Sequence, residues 1–132
     1  MKDNIFLETD RAIYDILSNN KFLKELKIGI YFEIPSGTSF PYIHIGKSSL
    51  KNISTKTSEL YKIIKEINIF SSNNGTKQLL IIINEIIHAL KLENFKLKNE
   101  SIISSNMDEY NIFIKAENIY HLSCKFELYI EN

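Results

Sequence analysis

"ELYKIIKEINIF", residues 59–70, decides the fold, because two periodicities compete in it. Leu60, Ile63, Ile64, Ile67 and Phe70 fall at helical spacing. Tyr61, Ile63, Ile67 and Ile69 fit the alternation of a strand, which Lys65 interrupts. Taken alone, the pattern slightly favours a helix. The segments on either side are easier to read.

Downstream, "SSNNG" (71–75) reads as a turn. "TKQLLIIINEIIHALKLE" (76–93) is the clearest helix of the chain. Leu79, Ile82, Ile83, Ile86, Ile87 and Leu90 give the spacing i, i+3, i+4, i+7, i+8, i+11 of one apolar face. Two strands are predicted at the end. In "YNIFIKA" (110–116), Tyr110, Ile112, Ile114 and Ala116 share a face. In "IYHLSCKFELYI" (119–130), Tyr120, Leu122, Cys124, Phe126, Leu128 and Ile130 alternate with His121, Ser123, Lys125, Glu127 and Tyr129. A turn at Glu117-Asn118 makes these two strands a hairpin.

Upstream, "PYIHI" (41–45) predicts a strand that starts after Pro41, a residue unable to donate to a ladder. "IPSG" (34–37) fits a type I turn with Pro35 second and Gly37 fourth. "IGIYFEI" (28–34) is β-branched and aromatic, hence strand. "DNIFLETDRAIYDIL" (3–17) is an amphipathic helix with Asp3 as N-cap and Ile5, Phe6, Ala12, Ile13, Ile16 and Leu17 apolar. "KFLKELK" (21–27) adds one or two helical turns. The order helix, strands, helix, strands predicts an α+β fold, mainly an antiparallel β-sheet packed with an N-terminal helix and one central amphipathic helix. No linker divides residues 1–132, so a single domain is expected.

The chain has 132 residues, 44% of them hydrophobic, with 16 basic and 16 acidic side chains. A formal charge of zero argues against DNA or an anionic membrane as the main partner. Arg11 is the only arginine, which leaves little for bidentate phosphate recognition. Cys124 is the only cysteine, so no internal disulfide forms. The N-terminal residues carry acids and resemble no signal peptide, and no apolar run is long enough to span a bilayer. The expectation is an intracellular, soluble protein.

Candidate chemistry is thin. Gly46-Lys47-Ser48 imitates the end of a phosphate loop, but Pro41 stands where the loop's first glycine belongs. Glu85 and His88 have the Glu-x-x-His spacing of di-iron bundles without a second motif, and they lie opposite the apolar stripe, which favours a solvated pair. His121 and Cys124 point to opposite faces of a strand and cannot share a metal, and Cys124 reads as a buried thiol. His44 stands alone on its strand. No catalytic, cofactor-binding or metal-binding residue is assigned, and no enzyme activity is expected. Ile81 shares the polar face of its helix with Lys77, Glu85 and His88, and is a candidate for contact with another copy of the chain.

The stretch from "IYFEIPSG" through "FPYIHIG" (40–46), "STKT" (54–57), the "IFS" ending at 69–71, Gly75 and the helix from about Thr76 resembles the tail completion, or tail terminator, family of tailed bacteriophages, prophages and gene transfer agents. With the first helix and the closing hairpin in order, the resemblance covers nearly the whole chain. Phe70 stands where that family often has Trp, and Ser72 to Asn74 stand where it often has arginine.

The resemblance implies a strand over roughly Tyr61 to Phe70, against the periodicity. It implies a structural protein at the virion's tail–head junction, present in the host cytoplasm during assembly. Such a protein forms a ring of itself, commonly a hexamer, ends growth of the tail tube and offers a surface to the head connector, with no cofactor. The loop residues Lys47, Lys51, Ser54, Thr55, Lys56 and Thr57, together with Ile81, are the expected assembly positions. Tail tube protein and head connector are the expected partners. The alternatives are another neck component such as a head–tail adaptor, or a small enzyme or ligand-binding domain using His44 or His88.

Overall fold

Residues 5–72, 75–95 and 101–131 are described by the computed structural model of the chain. The elements in order are α1 (Ile5–Ser18), α2 (Lys21–Glu25), β1 (Gly29–Tyr31), β2 (Tyr42–Asn52), β3 (Leu60–Ser71), α3 (Lys77–Ala89), a 3-10 turn at Leu92–Asn94, β4 (Ser101–Ala116) and β5 (Ile119–Glu131). Asp3, and Asn73 and Asn74 of the predicted turn, lie outside the described residues.

Tyr61 to Phe70 is strand, as the resemblance implies and against the helical spacing. It forms β3, the middle of one five-stranded sheet ordered β1-β2-β3-β5-β4. Tyr61, Ile63, Lys65, Ile67 and Ile69 are all buried on one face. Lys65 therefore continues the alternation that it seemed to break. Its Nζ lies 2.6 Å from Asp10 Oδ1 on α1. It also donates to Gly46 O and Ser48 Oγ, both at 2.8 Å. A charge is tolerated at 1% exposure because a carboxylate and two further oxygens replace its water.

β3 pairs antiparallel with β5 in one unbroken register from Leu60↔Glu131 to Ser71↔Tyr120. β2 pairs antiparallel with β3, and β4 with β5. β1 pairs parallel with the start of β2, from Gly29↔Tyr42 to Tyr31↔His44. A parallel neighbour without a crossover helix is accommodated because β1 spans only three residues, so residues 32–41 need retrace only a short distance.

Four boundaries differ from expectation. The strand predicted over 28–34 stops at Tyr31, after which Phe32 leaves to stack on Tyr14 at 5.6 Å between ring centroids. The turn centres on Ser36-Gly37 instead of Pro35-Ser36. Gly37 has φ +78°, the sign a type II turn requires at its third residue. The strand predicted over 110–116 begins nine residues earlier, because register shifts between Ile102/Ser104, Met107/Glu109 and Ile114/Ala116 reset the alternation and hide it. β2 runs on to Asn52, so the polar stretch 47–58 is strand in its first half and loop in its second.

The helices cover one face of the sheet. α1 buries Ile5, Thr9, Ile13 and Leu17, one residue per turn along a single stripe. α3 buries Leu79, Ile82, Ile83 and Ile86 as its spacing predicts, and Leu90 just past its end is buried too, but Ala89 is buried where the spacing predicts Ile87, which is half-buried. These meet Ile43, Ile45, Ile67, Ile69, Leu122, Cys124 and Phe126 in the main core. A smaller cluster of Ile5, Ile63, Leu128 and Ile130 fills the far end. Asn20 joins the helices: its Oδ1 accepts from Leu23 N at the start of α2, and its Nδ2 donates to Glu85 Oε1 on α3, both at 2.9 Å. The pair expected between Glu85 and His88 is thus replaced by a bond across elements. Among the described residues, no helix lies on the other face of the sheet.

Candidate assembly surfaces

Gly46-Lys47-Ser48 forms a β-bulge. Ile45 faces Ile67 and Ser48 faces Lys65, so Gly46 and Lys47 together oppose Glu66 alone. A Cβ on Gly46 would lie 3.1 Å from Asn68 Nδ2 and 3.3 Å from Glu66 Oε1. The bulge carbonyl of Gly46 is held by buried Lys65. Lys47 is exposed beside a shallow depression of ≈ 390 Å³ on the helix-free face, lined also by Ser49, Ile64, Glu66 and Lys125. This is a kink in a strand, with no helix following to receive a phosphate.

The "STKT" residues close the β2–β3 hairpin. Ser54 Oγ accepts from Leu60 N at 2.9 Å, and Ser54 N donates to Asn52 Oδ1 at 2.9 Å. Thr55 Oγ1 accepts from Thr57 N at 3.3 Å and Ser58 N at 3.1 Å, while Thr55 N donates to Ser58 O at 2.9 Å. Lys56 is exposed at the tip. The three lysines do not converge. Lys47 and Lys51 stand on β2, and Lys56 stands beyond its end.

On the helix-free face a row of rings crosses the sheet where β2 begins and β3 ends. Phe40 and Tyr42 are 5.4 Å apart between centroids, Tyr42 and Phe70 5.0 Å, Phe70 and His121 4.3 Å, and Phe113 and His121 5.7 Å. Tyr31 meets Tyr42 edge-on at 6.3 Å. Asn68 sits one step along β3. Its Oδ1 contacts His121 Nε2 at 2.7 Å, and its Nδ2 contacts Glu66 Oε1 at 3.1 Å and His44 Nδ1 at 3.3 Å. His44 Nε2 lies 3.0 Å from Phe32 O. Burial, with smaller contributions from Lys115 and His44, holds His121 below the usual histidine range, opposed by Glu66. The row was missed from sequence because its members come from five separate segments. Their only signal is that Tyr42, Phe70 and His121 sit out of phase with the core positions.

His44 and His88 lie on opposite sides of the sheet: His44 is on the helix-free face, and His88 is exposed on α3. They cannot act on one substrate. Cys124 is buried, its Sγ donates to Ile67 O at 3.3 Å, and burial pushes its thiol up to about 12. His121 lies on the other face of β5, as the alternation requires. Among the described residues, no group of three or more His, Cys, Asp or Glu is placed to hold a metal. Among the same residues, no helix is long and apolar enough to cross a membrane.

Exposed apolar side chains gather at the two edges of the sheet. On β4, Ile103, Tyr110, Phe113 and Ile114 are exposed, Ile114 at 72%. Tyr110, Ile112 and Ile114 do share a face, paired with Cys124, Leu122 and Tyr120, but the register shift after Ile114 takes Ala116 out of it, and only Ile112 of the three escapes exposure. At the β1 edge, Leu26, Phe32, Ile34 and Phe40 are exposed. Ile81 is exposed on α3, beside exposed Leu80.

The family model described as "Tail completion protein gp17" matches residues 11–131. No curated protein sequence matches the chain. Among solved structures, a chain of "Virion of native gene transfer agent (GTA) particle" superposes with a TM-score of 0.81 at 16% sequence identity. The match covers 92% of this chain and 93% of that one, and at this identity it is a likeness of fold. The chain belongs to the tail completion protein gp17 family, a family of phage tail structural proteins.

Proposed function

We propose that the protein caps the phage tail tube as a ring of identical subunits, commonly six, ends polymerisation of the tube and offers the surface that joins tail to head. The observation that carries this reading is the family match over residues 11–131. The shape supports it. A slab with a ragged edge on either side has lateral surfaces for neighbours and two ends for axial partners. The ends are far apart, since the ten residue steps from Tyr42 to Asn52 along β2 span about 33 Å. One end bears the Lys56 hairpin, and the other bears the ring row and the β4–β5 turn.

In this reading Lys56, with Lys47 and Lys51 on the neighbouring strand and Ile81 on α3, are positions that meet the tail tube, the head connector or a neighbour. Ser54, Thr55 and Thr57 shape the loop that presents Lys56. No cofactor takes part. The test is tail assembly with and without the protein. Tubes of regulated length that accept heads are expected with it, and overlong or headless tubes without it. Normal tails in its absence overturn the proposal. Replacing Lys47, Lys51 and Lys56 together by alanine is expected to impair capping; intact capping removes these lysines from the interface.

A further inference from the structure

We infer that the two edges of the sheet are the two halves of a single contact, in which the β4 edge of one copy docks on the β1 edge of a second copy of this chain. The inference rests on the ring reading above and specifies which surfaces meet.

An edge strand of 16 residues with protruding apolar side chains and no proline offers a template for association, which its bulges interrupt but do not remove. Ile114 projects from β4 at 72% exposure. At the opposite edge, a dent of ≈ 200 Å³ between α1, α2 and β1 is lined by Tyr14, Leu17, Leu23, Lys24, Ile28 and Ile30. It has room for one aliphatic side chain. The remaining exposed apolar residues, Leu7, Tyr14, Phe22, Leu80, Ile81 and Leu92, lie on helices and on the 3-10 turn.

Charge sets the orientation. Residues 21–34 at the β1 edge carry Lys21, Lys24 and Lys27 against Glu25 and Glu33. Residues 108–117 of the hairpin carry Asp108, Glu109 and Glu117 against Lys115, and Lys125 on β5 pairs with Glu109 at 3.6 Å, which leaves this edge net acidic by one charge. Meeting β4 to β4 would oppose two net-acidic segments, whereas β4 to β1 opposes a net-acidic segment and a net-basic one. The ring row adds continuity. It ends in exposed Phe113 at one edge and exposed Phe40 at the other, so the contact would join the row of one copy to that of the next. A contact between two different surfaces is heterologous, and repeated with the right rotation it closes into a ring.

Cysteine cross-linking tests the contact, because buried Cys124 with its raised thiol stays silent. Ile114→Cys and Lys24→Cys both change exposed side chains, so the fold is retained, as circular dichroism will verify. With a short bis-maleimide, a mixture of the two variants should give dimers, and neither variant alone should. The doubly substituted chain should give a ladder that stops at the ring number. In parallel, Ile114→Asp should weaken assembly, read by native mass spectrometry, by at least about tenfold at an unchanged urea midpoint. Self-linking of Ile114→Cys alone overturns the inference. So does a ring that forms without cross-links between positions 114 and 24, an outcome that leaves the ring reading standing. A chain that stays monomeric both alone and on tail tubes overturns both.

Discussion

Lys65 and Asp10 should show a large and asymmetric coupling. Lys65 is 1% exposed on the central strand and cannot reach water without opening the sheet. Asp10 has a side chain 27% exposed on α1, and can turn outward. Removing Asp10 leaves a buried ammonium with only Gly46 O and Ser48 Oγ, and Asp10→Ala should cost about 3 kcal/mol. Lys65→Met keeps most of the packed stem, loses two charge-assisted bonds, frees Asp10 to solvent and should cost about 2 kcal/mol. The double variant buries no charge and should also cost about 2 kcal/mol, which is about 3 kcal/mol less than the sum of the singles. Urea unfolding at pH 7 reads all three. At the m-value of a chain this size, Asp10→Ala should lower the midpoint by about 2 M, with the slope unchanged. Added salt should leave the coupling nearly intact, since a buried pair is poorly screened. Additive costs, or Asp10→Ala under about 0.5 kcal/mol, would refute the idea that Lys65 is a buried cation neutralised from α1.

Other perturbations probe the joints of the fold. Asn20→Ala removes the α2 cap and the link to Glu85 and should cost about 1–2 kcal/mol, read by thermal or urea unfolding; a neutral result would detach α2 from α3. Gly37→Ala meets no atom within 4 Å but must hold φ +78°, so about 1–2 kcal/mol of backbone strain is expected, with Gly37→Asn milder; equal costs would reject the left-handed assignment. Thr55→Ala should destabilise by about 1 kcal/mol through the loop's lost bonds, and Lys56→Ala by under about 0.5 kcal/mol, the reverse order denying the loop its structural reading. His121 is held below its ordinary value, so the unfolded chain takes up the proton first, and stability complete above about pH 6.5 should fall as the pH drops toward the folded value. His121→Gln should flatten that fall; an unchanged slope would place its source elsewhere.

What the sequence made legible depended on how cleanly each period ran. α3 and β5 could be read almost residue by residue, because their buried positions keep one period throughout, with Ile87 and Tyr120 at the margins only half-buried. β3 was obscured by two accidents. Lys65 occupies a core position with a partner 55 residues away in sequence, which no local pattern reveals. Ile64 lies on the helix-free face beside the depression at Lys47, and so mimics helical spacing with Ile63 and Ile67. β4 was cut short by its bulges. The exposure of Tyr110 and Ile114 could not be read at all, since an apolar stripe does not say whether a helix reaches far enough to cover it.

The stretch by which the chain most resembles its family is largely spent on scaffold. Pro41 precedes the first residue of β2, Gly46 supplies the bulge, and Ser54 and Thr55 close the hairpin. Lys47, which looked like part of a phosphate loop, is turned outward by the bulge that Lys65 holds from beneath. A stretch can therefore be the most recognisable part of a chain because it fixes the register of two strands, and not only because of what its exposed lysines meet. In the contact inferred between copies, the meeting surfaces are the exposed rings and aliphatic side chains at either edge. They are set in place by a sheet whose register depends on that stretch, which is why substitutions at Gly46 or Ser54 should disturb assembly only by way of stability, and substitutions at Ile114 should do so without it.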